Sequence, residues 1–317
     1  MSIVERALQK QKALKESQPA TPEEPAAGAP LPATERPLAR HATPWPDGDE
    51  TGSAGVSDIT ARDLKPILEF DFDRLREQGR LPPATMARQT DDEIRRIKWP
   101  LLQNIAGARN NAILVTSALP AEGKSFISLN LALSIVRDRE LRVILVDGDV
   151  ARPGLTPSLG LEDAPGLNDV LDDASMDISA VTYRTTVEGL FFVPAGRFHE
   201  RAAELLAGSR MDRLFQELTR RVGHGVIIID SPPLLATNEA QVAARYAGQV
   251  LLVVRAESTE QRAVKDAVAL VDKATPVTAV LNQVQSSPLS RYYGNYYYRQ
   301  GYGRGYERPE EPGKGNA

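Results

Sequence analysis

The nine residues Ser117-Ala118-Leu119-Pro120-Ala121-Glu122-Gly123-Lys124-Ser125 place a glycine, a lysine and a hydroxyl at a spacing suited to cradling phosphate. Gly123 lets the backbone approach an anion, successive amides form a nest, and a helix starting directly behind adds its positive end. Lys124 would reach the β- and γ-phosphates of ATP, and Ser125 would ligate Mg²⁺. Pro120, Ala121, Glu122 and Phe126 complete the residues expected to flank the nucleotide. The pattern G-x-x-x-x-G-K-[ST] calls for glycine at position 118, where this chain carries Ala118. A lone GKS also occurs in surface turns. An apolar strand before it and an apolar helix after it favour the phosphate loop, and the sequence has both.

Three aspartates form the second constellation. In VILVDGDVARPG, Asp147 and Asp149 stand just beyond an apolar run, and in VIIIDSPP Asp230 does the same. Carboxylates crowded at i and i+2 at a strand end are costly unless a cation or a substrate proton compensates them. Capping of the next helix would account for one of the two, not comfortably for both. Asp230 occupies the place of a carboxylate that holds Mg²⁺ through water. The chain has no cysteine, and His41, His199 and His224 lack metal-ligand spacing, so a metal here is held by oxygen.

These residues need a frame that brings them to one edge. Apolar, β-branched runs stand at 112–116, 142–146, 190–193, 226–229, 249–254 and 277–281, with helical patterns at 124–136, 210–222 and 259–273. Continuous rather than alternating apolar strands are covered on both faces. This predicts an α/β fold with a doubly wound, mainly parallel sheet and helices on both sides, whose ligands bind at the carboxyl ends of the strands. Upstream, FDFDRLREQG predicts a short helix from Asp71 to Gln78 ended by Gly79. A second helix is predicted from about Asp91, capped by Thr90 and kinked or ended by Pro100. Asn282, after the last strand, is placed to approach an adenine, to pack or to cap.

Outside this frame, residues 1–16 have apolar residues near helical spacing, read either as a short amphipathic helix or as a frayed charged terminus. Residues 17–57 are rich in Pro, Ala and Gly and predict a disordered linker. The folded domain is expected over 58–288, followed by a flexible tail over 289–317. Seven of the nine tyrosines fall in that tail: Tyr292, Tyr293, Tyr296, Tyr297, Tyr298, Tyr302 and Tyr306. Such a segment offers neither packing for the rings nor partners for the hydroxyls, which suggests an enzyme beside its own substrate. The net charge of −4 predicts neither nucleic-acid binding nor a membrane surface, and the absence of a long apolar stretch or a signal sequence predicts a cytoplasmic protein.

SALPAEGKS, ILVDGDVARP, VIIIDSPP and the tyrosine-rich tail together resemble the Walker A, Walker A′ and Walker B motifs and C-terminus of the bacterial tyrosine kinases that control exopolysaccharide synthesis. Within that family the MSIVERAL start, the DEIRRIKWPLL and ELLAGSRM segments and the YYGNYYY tail are most similar to the autokinases of XrtA exosortase (PEP-CTERM) systems. The resemblance implies ATP and Mg²⁺ as cofactors and autophosphorylation of the seven tail tyrosines. Lys124, Asp147, Asp149 and Asp230 would carry the catalysis, with Asp147 as the base or Mg²⁺-linked group facing the tyrosine. Ser125, Asp149 and Asp230 would hold the metal. Arg152, expected among the nucleotide-binding residues, matches the second arginine of D-x-D-x-R-R-P, and Ala151 replaces the first. The resemblance also implies ring-like self-assembly through an acidic-x-x-Arg-x-x-Arg helix. That helix is matched by Asp92, Arg95 and Lys98, or by Glu93 and Arg96 in a register ending on Trp99. A charged helix is otherwise a solvated face. It further implies a separate membrane activator of the chain-length-determinant type at the inner face of the plasma membrane, and a tyrosine phosphatase.

Two other classes share part of these signals. A ParA- or MinD-like switch ATPase has this sheet and both Walker motifs, but carries a lysine where Leu119 stands and has no tyrosine tail. A non-catalytic adaptor would explain the Tyr-, Gly- and Arg-rich tail as a binding segment, but not the three carboxylates.

Overall fold

The computed structural model describes residues 65–105, 111–138 and 141–284. The readings made for residues 1–16, the 17–57 linker and the tyrosine tail lie outside the described residues. Eight strands form one sheet: β1 (Lys65–Leu68), β2 (Ala112–Ser117), β3 (Val143–Asp147), β4 (Tyr183–Thr185), β5 (Leu190–Val193), β6 (Val226–Asp230), β7 (Gln249–Arg255) and β8 (Val277–Asn282). Their spatial order is β1-β4-β5-β3-β6-β2-β7-β8. All neighbours pair in parallel except β4 and β5.

Every residue of β2, β3 and β6 is buried. Successive side chains leave a strand on opposite faces, so each strand feeds two cores. Ala112, Leu114, Ile144, Val146, Ile227 and Ile229 join one core, and Ile113, Val115, Val143, Leu145, Val226 and Ile228 join the other. The first core is closed by α4 (Leu167–Asp172), α5 (Ala202–Ala207), α6 (Ser209–Val222) and α7 (Asn238–Ala244), and α8 (Gln261–Ala269) contributes Ala267 to it. The second is closed by α1 (Phe72–Glu77), α2 (Ala87–Ile105) and α3 (Lys124–Val136). The helix behind the phosphate loop, α3, buries nine side chains because it lies between the sheet and α2.

The six strands and α3 stand where the apolar runs predicted them, within a residue at each end. Elsewhere the boundaries differ for physical reasons. Helix α2 begins at Ala87, so Thr90 lies inside it and is no cap. The helix also runs through Pro100, which is exposed, while Ile94 and Leu101 on its inner face are buried. That packing outweighs the roughly 3 kcal/mol cost of an interior proline. Lys98, on the same inner face, donates to the Ser134 carbonyl at 3.1 Å and to Asp138 Oδ2 at 2.8 Å. Helix α8 is shorter than the expected 259–273: Glu260 caps it in extended backbone, and Thr259, whose hydroxyl donates to Glu122, lies in the turn before it. Strands β1 and β4 and helices α4, α5 and α7 are too short to show a period.

Leu101→Ala should destabilise the protein by about 2–5 kcal/mol in urea unfolding. Trp99→Ala on the outer face, where Trp99 is 65% exposed, should stay within about 0.5 kcal/mol of wild type.

Candidate nucleotide-binding site

The phosphate loop leaves β2 and turns into α3 through backbone that few residues adopt. Ala121 has φ 61° and Gly123 has φ 94°. A Cβ on Gly123 would also lie 2.0 Å from the Asn282 amide nitrogen, so both conformation and space demand glycine there. Ala118 is buried and needs no positive φ, which is why alanine serves where the general pattern has glycine.

An acidic residue inside an anion-binding loop would repel phosphate. Glu122 avoids this because its carboxylate is buried and turned inward. It accepts from the Leu119 amide at 2.8 Å, from the Arg255 amide at 3.4 Å and from the Thr259 hydroxyl. From the other side the Asn282 amide donates to the Glu122 carbonyl at 2.9 Å, and Gln283 donates to the Ala121 carbonyl at 3.2 Å. The loop is thus fixed before any ligand arrives.

The carboxylates follow from strand register. Asp147 ends β3 and Asp230 ends β6, and the two are paired residues on adjacent strands. Asp147 is fully buried. Its Oδ2 accepts from the Leu155 amide at 3.0 Å and from the Thr156 amide and hydroxyl at 2.7 and 2.8 Å. Its Oδ1 is buried with no hydrogen-bond partner among the described residues. Burial, with a smaller repulsion from Asp149, pushes Asp147 up to about 6 against the hydrogen bonds from Thr156 and Leu155. Asp230, 1% exposed, accepts from Ser128 Oγ at 3.0 Å. Burial and then repulsion from Asp147 push it up to about 7, while hydrogen bonds from Ser125 and Ser128 and the charge of Lys124 oppose the shift. Asp149 is only partly buried, and Oδ1 accepts from the Arg152 amide at 3.0 Å. Burial raises its pKa also, against the Arg152 amide and Lys124. Two dry carboxylates with an orphan oxygen, beside a hydroxyl and a lysine, suit a divalent cation.

Pro120, Ala121, Gly123, Lys124, Ser125, Phe126, Asp149 and Arg152 line one pocket of about 800 Å³. The side chains of Glu122, Asp147 and Asp230 do not line it. Asp147, expected to face a tyrosine hydroxyl, sits behind the wall, and the carboxylate on the wall is Asp149. The pocket also includes Gly79, Arg80, Gly154, Thr237 and Gln283, none of which belongs to a motif. Thr237 had a local signal, a hydroxyl capping α7. Arg80 had none, since only the fold brings it to the loop. On α2, Lys98 is committed to the core, whereas Glu93, Arg96 and Trp99 of the alternative register are exposed.

A parallel sheet with a phosphate loop at its carboxyl edge and carboxylates on two neighbouring strands defines a P-loop nucleotide-binding protein. No protein-family profile matches the chain. It is similar to the tyrosine-protein kinase Ptk of Acinetobacter johnsonii, with 28% identity over 200 residues, covering 62% of this chain and 27% of Ptk. It is similar to CapB of Staphylococcus aureus, a proposed tyrosine-protein kinase, with 30% identity over 209 residues, covering 65% of this chain and 89% of CapB. Among solved structures, the BceF tyrosine kinase domain superposes with a TM-score of 0.57 at 26% identity, covering 70% of this chain and 93% of that domain. The chain belongs to the bacterial tyrosine-kinase family. It spans about a quarter of the length of Ptk.

A carboxyl whose folded pKa exceeds its unfolded value, 3.8, keeps in the native state a proton that the unfolded chain has released. That stabilisation is complete below the unfolded value and is lost as pH rises through the folded one. Without nucleotide or Mg²⁺, thermal stability should therefore fall as pH rises from about 4 to 7. Asp177 and Glu217, with lowered values, act below that window. Asp230→Asn should flatten the decline and melt higher than wild type at pH 8. A wild-type melting temperature that rises over this range, unaffected by the substitution, contradicts the assignment.

Proposed function

We propose that the chain is an ATP-dependent protein-tyrosine kinase whose acceptors are the tyrosines between 292 and 306 of its own tail or of a neighbouring copy. In this reading it regulates exopolysaccharide synthesis and export, as in the exosortase-associated autokinases it resembles. The observation that supports it most is the single pocket in which Lys124, Ser125 and Asp149 meet, backed by Asp147 and Asp230, in a chain of the tyrosine-kinase family.

Ser125, Asp149 and Asp230 would hold Mg²⁺, which when bound neutralises charge on the β- and γ-phosphates. The loop amides and Lys124 bind and orient the triphosphate. The phenolic oxygen forms its bond to the γ-phosphorus, the bond from that phosphorus to the β–γ bridging oxygen breaks, and ADP leaves. The phenolic proton passes to Asp149, the carboxylate on the pocket wall. Asp147 is a positioning residue that ties β3 to the loop at Leu155 and Thr156.

A phenol with a pKa near 10 is a weak nucleophile at neutral pH, and a tethered tail compensates by effective concentration. Copies would assemble through the exposed face of α2 that carries Glu93, Arg96 and Trp99, offering each tail to the next site. A membrane protein of the chain-length-determinant type would recruit and activate the assembly at the inner membrane face, and a phosphatase would reset it. Among the described residues no helix is long and apolar enough to cross a membrane.

Incubated with Mg-ATP, the wild type should gain phosphates on tyrosines between 292 and 306, read by intact-mass and peptide mass spectrometry, and Lys124→Met should gain none. ATP hydrolysis without phosphotyrosine, persisting when a membrane protein of the chain-length-determinant type is added, would instead place the chain with the switch ATPases.

A further inference from the structure

Arg80 belongs to no nucleotide motif, yet the fold aims it at the phosphate loop. Asp71 caps α1 by accepting from the Asp73 and Arg74 amides at 3.1 and 2.9 Å. After the helix, Gly79 takes φ 67° and turns the chain, and the Arg80 amide donates back to the Leu75 carbonyl at 2.8 Å. The Arg80 carbonyl is held by Asn130, whose amide donates to it at 3.0 Å and to the Phe126 carbonyl at 2.7 Å. Arg80 is therefore fixed by its backbone to the first turns of α3, and its side chain lines the nucleotide pocket.

Toward the described residues the guanidinium uses two of its five donors. Nη2 donates to the Gly154 carbonyl at 2.7 Å and Nε to Ser158 Oγ at 2.8 Å. Among the described residues no carboxylate pairs with it. A Cβ on Gly154 would lie 2.6 Å from Ser125 Oγ and 3.7 Å from Arg80 Nη2. The glycine thus leaves open the point between the hydroxyl at the head of α3 and the guanidinium. A planar cation with spare donors facing such a point suits a phosphate oxygen.

The sheet order indicates which phosphate. Asn282 ends β8 and Gln283 follows it, whereas Gly154 follows β3 and accepts from Arg80, and the phosphate loop leaves β2, which stands between those two strands. The open point at Gly154 also borders Ser125, the hydroxyl read as the Mg²⁺ ligand at the β- and γ-phosphates, so the Arg80 guanidinium faces the terminal end of a bound triphosphate. We infer that Arg80 is a further binding residue, contributed from outside the Walker motifs, whose guanidinium docks on the terminal phosphate of the bound nucleoside triphosphate. The inference rests on the nucleotide-site reading above.

The test is titration of the full chain, with Mg²⁺ present, against fluorescent derivatives of ADP and of a non-hydrolysable β,γ-imido ATP analogue. Arg80→Ala should weaken the triphosphate about 10- to 100-fold, as for a lost charge-assisted hydrogen bond, and change ADP affinity by no more than about threefold. Arg80→Lys, which keeps the charge and guards against a misfolded alanine variant, should fall between. Ser158→Ala removes a loop contact of Arg80 but no phosphate contact and should leave both affinities unchanged. Equal losses for the two nucleotides in Arg80→Ala, the same triphosphate loss in Ser158→Ala, or no loss in either Arg80 variant would overturn the inference. Failure of the wild type to bind either nucleotide would instead overturn the nucleotide-site reading on which it stands.

Discussion

The site depends on two aspartates at paired positions of neighbouring strands. Because β3 and β6 run parallel and in register, Asp147 and Asp230 must meet at the same edge of the sheet, and every residue before them on those strands is buried. Neither carboxylate reaches bulk water, and the charge of Asp147 adds to the cost of ionising Asp230. A sheet does not gain stability from such a pair. Its persistence makes sense if a cation is the missing member, with Ser125 and Lys124 already directed at Asp230.

Everything around the pair reduces motion. Glu122 ties the phosphate loop to the end of β7 and to Thr259, Asn282 and Gln283 tie it to β8, and Asp147 ties the loop after β3. A preorganised anion nest costs no reorganisation when charge develops, the property phosphoryl transfer needs most. The proposed tyrosine acceptors, by contrast, stand in a Gly- and Arg-rich stretch of sequence whose composition offers aromatic rings little apolar packing.

The framework was legible in the sequence because a parallel sheet covered on both faces writes its strands as uninterrupted apolar runs. Asp147, Asp149, Asp230 and the loop could be placed at one edge from that alone. What escaped was set by contacts distant in sequence. Whether Asp147 or Asp149 faces the pocket depends on Leu155 and Thr156 closing over the first of them. Glu122 read as a neighbour of the nucleotide, and only β7 and Thr259 reveal that its carboxylate turns inward. Lys98 had the spacing of an exposed assembly motif, yet Asp138, forty residues on, draws it into the core. Arg80 reaches the pocket through a turn that no motif records.

The central claim, that two dry carboxylates await a cation, is tested most directly by counting protons. Calorimetric titration of Mg-ADP into the protein near pH 6.5, in buffers of different ionisation enthalpy, measures the protons exchanged on binding. Carboxyls raised to about 6 and 7 are partly protonated there, and cation binding should expel those protons. Net proton release by the wild type that is largely lost in Asp230→Asn is the predicted result. Binding with no proton release, or with the same release in both proteins, would contradict the account.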